Sequence, residues 1–80
     1  MAEQTLIARS SGGSEARFLL RVFQEGDHWT STLARLNARG EPESAAVAPR
    51  FYGLTEEQAR RRMIGVLENQ YEEVTPVAGP

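Results

Sequence analysis

In the segment ARFLLRVFQ, residues 16–24, apolar positions alternate with positions that hold a mixture of arginines and apolar residues, and this period of two limits what the chain can fold into. The apolar positions on one side of it are Phe18, Leu20 and Val22. A period of two places such residues on a single face of an extended strand. Residues 25–28, EGDH, contain glycine and aspartate where a hairpin must turn. Residues 29–37, WTSTLARLN, include β-branched threonines and are predicted to form the return strand.

A third strand is predicted at residues 44–53, SAAVAPRFYG. It is a weaker strand pattern, because alanine has a low β-propensity and proline cannot donate a hydrogen bond to a ladder. We therefore expect this strand at a sheet edge, or with a bulge near Pro49. Gly53 is expected to end it before the next element.

Residues 54–74, LTEEQARRRMIGVLENQYEEV, have the pattern of an amphipathic helix. Thr55 and Gln58 have the spacing of an N-terminal capping box. Leu54 and Ala59 have the spacing of a hydrophobic staple around that cap. The apolar stripe expected to face the core contains Ala59, Met63, Leu67, Tyr71 and Val74.

These elements predict an α+β fold: a three-stranded antiparallel sheet (β-β-β-α) with one C-terminal helix packed on one face. The single domain is expected to span residues 16–74. Residues 1–15 contain a serine- and glycine-rich run and are predicted to be a flexible segment, with an extra edge strand as the alternative. Residues 75–80 contain two prolines and are predicted to be a disordered tail.

The most conspicuous chemical feature of the helix is its run of consecutive arginines, Arg60, Arg61 and Arg62. Successive helical residues point about 100° apart, so the three side chains cannot form one tight cluster. Glu56 and Glu57 precede Arg60 and Arg61 by four residues, which favours ion pairs along the helix. The run is predicted to be a solvated helix surface rather than a phosphate clamp.

The amino-acid composition argues for some classes of function and against others. The nine basic residues are all arginine, and eleven acidic residues give a formal charge of −2. This acidic balance argues against nucleic acid as a partner, because binding it requires clustered positive charge. No membrane-spanning run and no signal-peptide pattern is present, so a cytoplasmic protein is expected. With 80 residues and no cysteine, packing and self-association are the remaining ways to stabilise a small core, which favours a homodimer.

The sequence predicts a protein that is not an enzyme and needs no cofactor. His28 is its only histidine, so one chain cannot supply a metal site with several histidine ligands. No serine lies in a nucleophile-elbow motif, and no phosphate-binding loop or dinucleotide fingerprint is present. His28 is interpreted as a structural or exposed residue. No catalytic, cofactor-binding or metal-binding residue is predicted.

The order of two hairpin strands, a third strand, FYGLTEEQA and a long helix resembles the HicB-like antitoxin fold over residues 16–74. Small single-domain members of that group have a β-β-β-α arrangement similar to double-stranded RNA-binding domains. They have a glycine shortly before the helix and a Thr-x-Glu-Glu-Ala-like cap. The residues here in comparable places are Gly53, Thr55, Glu57 and Ala59.

The chain also departs from that family. It has PRFYG where the family has a Pro-Gly-Cys-like corner and a second glycine, and it has no C-terminal helix-turn-helix or ribbon-helix-helix segment. The resemblance implies a partner-binding module that dimerises and blocks a small RNA-cleaving toxin, which would be a small basic protein. It carries over no functional residue, because the matched pattern is structural.

The candidate partner-binding residues lie in the predicted hairpin. If the helix covers Phe18, Leu20 and Val22, the opposite sheet face retains apolar side chains interleaved with arginines, as interface patches do. The predicted partner-binding residues are Arg17, Leu19, Arg21, Phe23 and Trp29. Covering of these apolar residues by the N-terminal segment is the structural alternative.

Two other functions stay open at the level of sequence. The first is a nucleic-acid-binding module that uses arginines on the open sheet, as three-stranded sheets backed by a helix do elsewhere. Its candidate residues are Arg17, Arg21, Arg35 and Arg50. The second is a structural homodimerisation domain with no separate ligand.

Overall fold

The computed structural model describes residues 2–43 and 49–77. Its elements in chain order are β1 (Ala2–Arg9), β2 (Glu15–Glu25), β3 (His28–Arg35), β4 (Arg50–Gly53), α1 (Glu56–Gln70) and β5 (Glu73–Pro76). The strands form one antiparallel sheet in the order β4-β3-β2-β1-β5. The helix lies across β2, β3 and β4 on one face of that sheet. The α+β class is confirmed, but the sheet has five strands rather than the three predicted.

The first missed strand is β1, which lies between β2 and β5 and is therefore not an edge strand. Its residues pair with the whole first part of β2, from Ala2 opposite Val22 to Arg9 opposite Glu15. The serine- and glycine-rich run is a tight turn: the Gly13 amide donates to the Ser10 carbonyl at 3.0 Å. The left-handed backbone at this glycine, with φ of 87°, makes that turn possible.

The second missed strand is β5, which follows a helix shorter than predicted. The helix ends at Gln70, and Tyr71 adopts extended backbone angles. The β-branched residues after it pair with β1, with Thr75 opposite Ile7. Residues 75 and 76 of the predicted tail thus belong to the sheet, whereas residues 78–80 lie outside the described part of the chain.

The hairpin between β2 and β3 is confirmed, and its turn is tighter than predicted. Glu25 pairs directly with His28, so the loop has only two residues, Gly26 and Asp27. Gly26 has φ of 63°, whereas Asp27 has a negative φ, which is the pattern of a type II′ turn.

β4 is an edge strand, as its proline and alanines indicated. It begins at Arg50, directly after Pro49, which has no amide proton for a ladder. Of the predicted third strand, residues 44–48 lie outside the described part of the chain.

The core lies between the helix and one sheet face. The helix contributes Ala59, Met63 and Leu67, as predicted, and all three are buried. Facing residues of the sheet are Leu6, Ala8, Ala16, Phe18, Leu20, Val22 and Leu33. Phe18 and Tyr71 pack edge to face, with ring centroids 5.9 Å apart.

At the start of the helix, the predicted N-terminal cap is confirmed, whereas the predicted hydrophobic staple is wrong. The Thr55 hydroxyl accepts a hydrogen bond from the Gln58 amide at 3.1 Å. The Gln58 side chain reaches back to the Leu54 amide at 2.6 Å, one residue before the cap. Leu54 is 79% exposed, so the predicted staple with Ala59 does not form.

The helix approaches β3 and β4 so closely that a side chain would not fit at one position. A Cβ atom built on Gly53 would lie 2.6 Å from the backbone nitrogen of Ala59. On the neighbouring strand, the buried Ser31 hydroxyl donates to the Ala59 carbonyl at 2.7 Å. Small residues therefore fix the first turns of α1 against the sheet.

We predict that Gly53→Ala destabilises the protein, because the added methyl group forces the helix away from β4. The expected loss is about 1–3 kcal/mol in the free energy of unfolding, measured by urea denaturation. Gly65→Ala is the matched control, because a Cβ there meets nothing within 4 Å. It should stabilise the helix by about 0.5–1 kcal/mol. Equal effects of the two substitutions would contradict the close contact.

Candidate functional site: the open face of the sheet

The strand register defines an open sheet face on the side away from α1. Side chains alternate between faces along each strand, and cross-strand pairs share a face. Leu19 pairs with Ala34, and Phe23 pairs with Thr30, whereas Phe18 and Leu20 point to the helix. The prediction that Leu19 and Phe23 lie opposite the helix-covered face is confirmed.

Partly buried apolar side chains form a band across this open face. Its members are Ile7 on β1, Leu19 and Phe23 on β2, and Ala34 on β3. The N-terminal strand does not cover them, because β1 lies beside β2 in the sheet rather than over it. The alternative in which residues 1–15 pack on Leu19 and Phe23 is therefore wrong.

Charged residues surround the apolar band in equal numbers of each sign. The basic members are Arg9, Arg17, Arg21 and Arg50, and the acidic members are Glu3, Glu15, Glu25 and Glu73. Most of them form ion pairs between strands. Arg21 contacts Glu3 at 2.6 Å, and Arg50 contacts Glu25 at 3.4 Å. Over the described residues, the open face has no net charge.

The best-connected charged group on the face is Arg9, which binds two glutamates. Its guanidinium donates to the Glu15 carboxylate and lies 3.9 Å from Glu73. The hydrogen bond from Arg9, together with its positive charge, lowers the pKa of Glu15. The same hydrogen bond and the nearby carboxylates raise the pKa of Arg9.

One corner of the open face combines aromatic and polar side chains. The rings of His28 and Tyr52 pack edge to face with centroids 5.3 Å apart, and Tyr52 is 50% exposed. Beneath them, the buried Thr30 hydroxyl donates to the Glu25 carboxylate at 2.6 Å. His28 lies 3.5 Å from the neighbouring Asp27 carboxylate at an exposed position. The carboxylate of Glu25 thus links two strands at the hairpin end.

The five predicted partner-binding residues do not share one surface. Arg17, Leu19, Arg21 and Phe23 alternate with core residues along β2 and lie together on the open face. Trp29 pairs with Gln24 and Gly53, lies on the helix-covered face, and packs against the core. The two-residue loop between β2 and β3 places Trp29 opposite Gln24. Recognising that loop length in the sequence would have put Trp29 on the helix-covered face.

The arginines proposed for nucleic acid are also divided between the faces. Arg17, Arg21 and Arg50 lie on the open face, whereas Arg35 pairs with Phe18 and lies on the other side. Two of the three on the open face are already bound to glutamates. The sheet therefore does not present a continuous basic track of the kind that follows a phosphate backbone.

The run of helix arginines is held by contacts within the chain. Arg60 and Arg61 both bind the Glu57 carboxylate, so the predicted Glu57–Arg61 pair is confirmed, whereas Arg60 binds Glu57 rather than Glu56. Arg62 Nη1 donates to the Tyr52 carbonyl of the edge strand β4 at 2.7 Å. This contact covers part of an exposed strand edge. Unpaired carbonyls at such an edge can form hydrogen bonds with a strand of another chain.

Neither a cluster of metal-ligating side chains nor a membrane-spanning helix is present in the part of the chain that the structure describes. Within residues 2–43 and 49–77, no three histidine, aspartate or glutamate side chains are grouped to hold a metal ion. No helix in those ranges has both the length and the apolar character required to cross a membrane.

Comparison of the chain with protein-family models, curated proteins and solved structures finds no match. The HicB-like resemblance of residues 16–74 therefore stays a prediction.

We predict that Glu57→Gln lowers the melting temperature at neutral pH, because it removes the acceptor of two arginines. Hydrogen bonds from Arg60 and Arg61 lower the pKa of Glu57 in the folded state. The carboxylate therefore stabilises the fold above the ordinary value of 4.5, and this contribution is lost as the pH falls through the lowered folded value. The difference between wild type and variant should shrink in strong acid.

Glu56→Gln is the matched control for this experiment. Both glutamates lie in the first helical turn and interact with the helix dipole, but the described residues contain no ion pair to Glu56. A pH-dependent loss that is equal in both variants would show that the dipole, rather than the arginine pairs, accounts for the effect.

Proposed function

We propose that this protein is a non-catalytic protein-binding domain that uses the open face of its sheet to bind a second copy of itself. The observation that carries the proposal is the apolar band of that face, set between equal numbers of positive and negative side chains. No element among the described residues covers this band.

The apolar band supplies the driving force for association. Ile7, Leu19 and Phe23 lie on adjacent strands and are only partly buried in the single chain. Apolar surface removed from water stabilises a complex by about 25 cal/mol per Å² before the costs of association are subtracted. Aromatic and aliphatic side chains at the centre of a patch, with charges around them, form the usual anatomy of an interface.

The charge distribution favours a second copy of this chain over a highly charged partner. A two-fold interface brings the same patch of both chains together, so the patch must be complementary to itself. A face with equal numbers of arginines and glutamates meets this condition, because opposite charges are available in both copies. Nucleic acid would instead require an excess of positive charge.

The size of the open face also suits a dimer. With strand spacing near 4.8 Å and a rise near 3.3 Å per residue, the five strands span roughly 500 Å² of flat sheet. Projecting side chains increase the accessible area beyond this value. A standard interface buries about 800 Å² on each partner, so the open face approaches the required area.

The sequence resemblance adds a further element to the proposal: the dimer would neutralise a small basic protein. Glu68 in the last turn of the helix and Glu72 just after the helix are both exposed. A basic partner would be attracted to this acidic end. Capture of partners from cells by the intact chain would test this element separately.

We predict that the double substitution Leu19→Ser and Phe23→Ser converts a dimer into a monomer. Both side chains point away from the core, so the fold should be retained while the apolar band is lost. Sedimentation velocity should report a dimer for the wild-type chain and a monomer for the variant at micromolar concentration. Circular dichroism should show the same secondary structure in both.

Leu54→Ser is the matched control, because Leu54 is highly exposed but lies between β4 and α1, away from the open face. This variant should remain a dimer. A monomeric wild-type chain, or a variant that stays dimeric, would contradict the proposal. Salt-dependent binding of single-stranded nucleic acid that is lost in Arg21→Gln would instead support the nucleic-acid alternative.

A further inference from the structure

The two outer edges of the sheet are closed in different ways. β4 and β5 are the outermost strands, and no strand among the described residues pairs with their outer sides. On β5, the Val77 amide donates inward to the Thr5 carbonyl at 2.9 Å, so the backbone of the preceding Pro76 faces outward. Proline has no amide proton, and this edge therefore lacks a donor that no rearrangement can restore.

The edge of β4 is closed by a side chain instead. Successive residues of an antiparallel strand direct their backbone N–H and C=O groups to opposite sides. Phe51 and Gly53 direct theirs towards β3, so Arg50 and Tyr52 direct theirs away from the sheet. On this outer side, Arg62 Nη1 donates to the Tyr52 carbonyl at 2.7 Å. The guanidinium thus occupies the position that an N–H group of an added strand would take.

A second side chain of the helix marks where this edge ends. Gln58 Oε1 accepts a hydrogen bond from the Leu54 amide at 2.6 Å, so the outward backbone groups of β4 itself are those of Arg50 and Tyr52. The side chains of Tyr52 and Leu54 are 50% and 79% exposed. An apolar side chain on an added strand would contact the Tyr52 ring as its cross-strand neighbour.

Arg62 differs from the two arginines before it. Arg60 and Arg61 bind the Glu57 carboxylate, whereas the described residues contain no carboxylate partner of Arg62. A guanidinium binds a carboxylate more strongly than it binds a neutral carbonyl. An added strand that brings an acidic side chain to Arg62 therefore replaces the bond that Arg62 loses and leaves the Tyr52 carbonyl available for backbone pairing.

We propose that the outer edge of β4 binds an extended acidic segment of another protein, and that Arg62 is the gate of this site. The segment adds to the sheet as a further strand, through backbone hydrogen bonds to Arg50 and Tyr52. Its side chains alternate between the two faces. Acidic side chains on the helix side bind Arg62, and apolar side chains on the other side contact the Tyr52 ring.

The edges of this chain are poor partners for one another. Pairing of two β4 edges around a two-fold axis would bring Arg62 of both copies together and would add no carboxylate for either. Pairing of β4 with β5 of a second copy would meet Pro76, which cannot donate a hydrogen bond. The site therefore fits a different polypeptide, and it is separate from the surface proposed for the dimer.

Titration with an acetylated and amidated peptide of alternating glutamate and valine, followed in amide NMR spectra of the wild-type chain, tests this proposal. Saturable shifts are expected at Arg50, Tyr52 and Leu54. The same peptide with N-methylated backbone nitrogens should bind about tenfold more weakly, because it cannot donate to the Tyr52 carbonyl. Equal binding of the two peptides, or the absence of saturable shifts along β4, would overturn the proposal.

Arg62→Ala tests the gate. The wild-type chain should bind the glutamate–valine peptide about tenfold more tightly than a lysine–valine peptide, because only the first supplies an acceptor for Arg62. In the variant this preference should fall to roughly twofold, the scale of screened surface charges. A preference that is unchanged in Arg62→Ala would contradict the role of this arginine.

Arg61→Ala is the matched control. Arg61 is the neighbouring residue and is exposed, but it contacts Glu57 rather than β4. This variant should keep the preference for the acidic peptide. An equal loss of preference in both variants would show that general positive charge on the helix, rather than the contact of Arg62 with the edge, selects the peptide.

The same titration in the Leu19→Ser, Phe23→Ser variant separates this site from the proposed dimer. The affinity for the acidic peptide should be unchanged, because the outer edge of β4 is not part of the apolar band. Loss of peptide binding in this variant, with an unchanged circular dichroism spectrum, would place the peptide on the open face and overturn the proposal.

Discussion

A single helix can cover only one face of the five-stranded sheet, and the rest of the structure depends on this constraint. On the covered side, small residues allow close packing, with Gly53 and Ser31 against Ala59. On the other side, the sheet must either be solvated by charged residues or be covered by another chain. Its mixture of charged residues and partly buried apolar residues is the basis of the proposed dimer.

The helix arginines show that the role of a charged residue depends on its neighbours in space and not only on its neighbours in sequence. Three consecutive arginines suggest a phosphate clamp, but two share one glutamate and the third binds the Tyr52 carbonyl of an edge strand. Arg17 and Arg35 lie near the same end of the β2–β3 hairpin but on opposite faces of the sheet. Contacts in space, rather than position in the sequence, decide which arginines are held by a neighbouring group.

Sequence reasoning identified the elements that have a strong local signal. Phe18, Leu20 and Val22 defined the covered face of β2, and Thr55 defined the start of the helix. Both patterns arise from contacts close in sequence or from a regular period, so they can be recognised in one segment at a time.

The missed elements depend on contacts between distant segments. β5 has four residues, too few to show a period, and the stripe spacing of Tyr71 and Val74 continues that of the helix. The helix ends at Gln70, shortly before the residues that pair with β1. β1 was not predicted because the serine- and glycine-rich turn after it resembles a flexible linker. The four β2 residues of the open face were predicted to lie together, as they do. Placing Trp29 on the other face requires knowing that the loop between β2 and β3 has only two residues.

The central claim is that the open sheet face contacts the same face of a second chain. Its most direct test is an isotope-filtered NMR experiment on a mixture of labelled and unlabelled protein, which detects only contacts between chains. Contacts between chains should involve the methyl groups of Ile7 and Leu19 and the ring of Phe23. Contacts between chains confined to the helix surface, or none at these residues, would contradict the account.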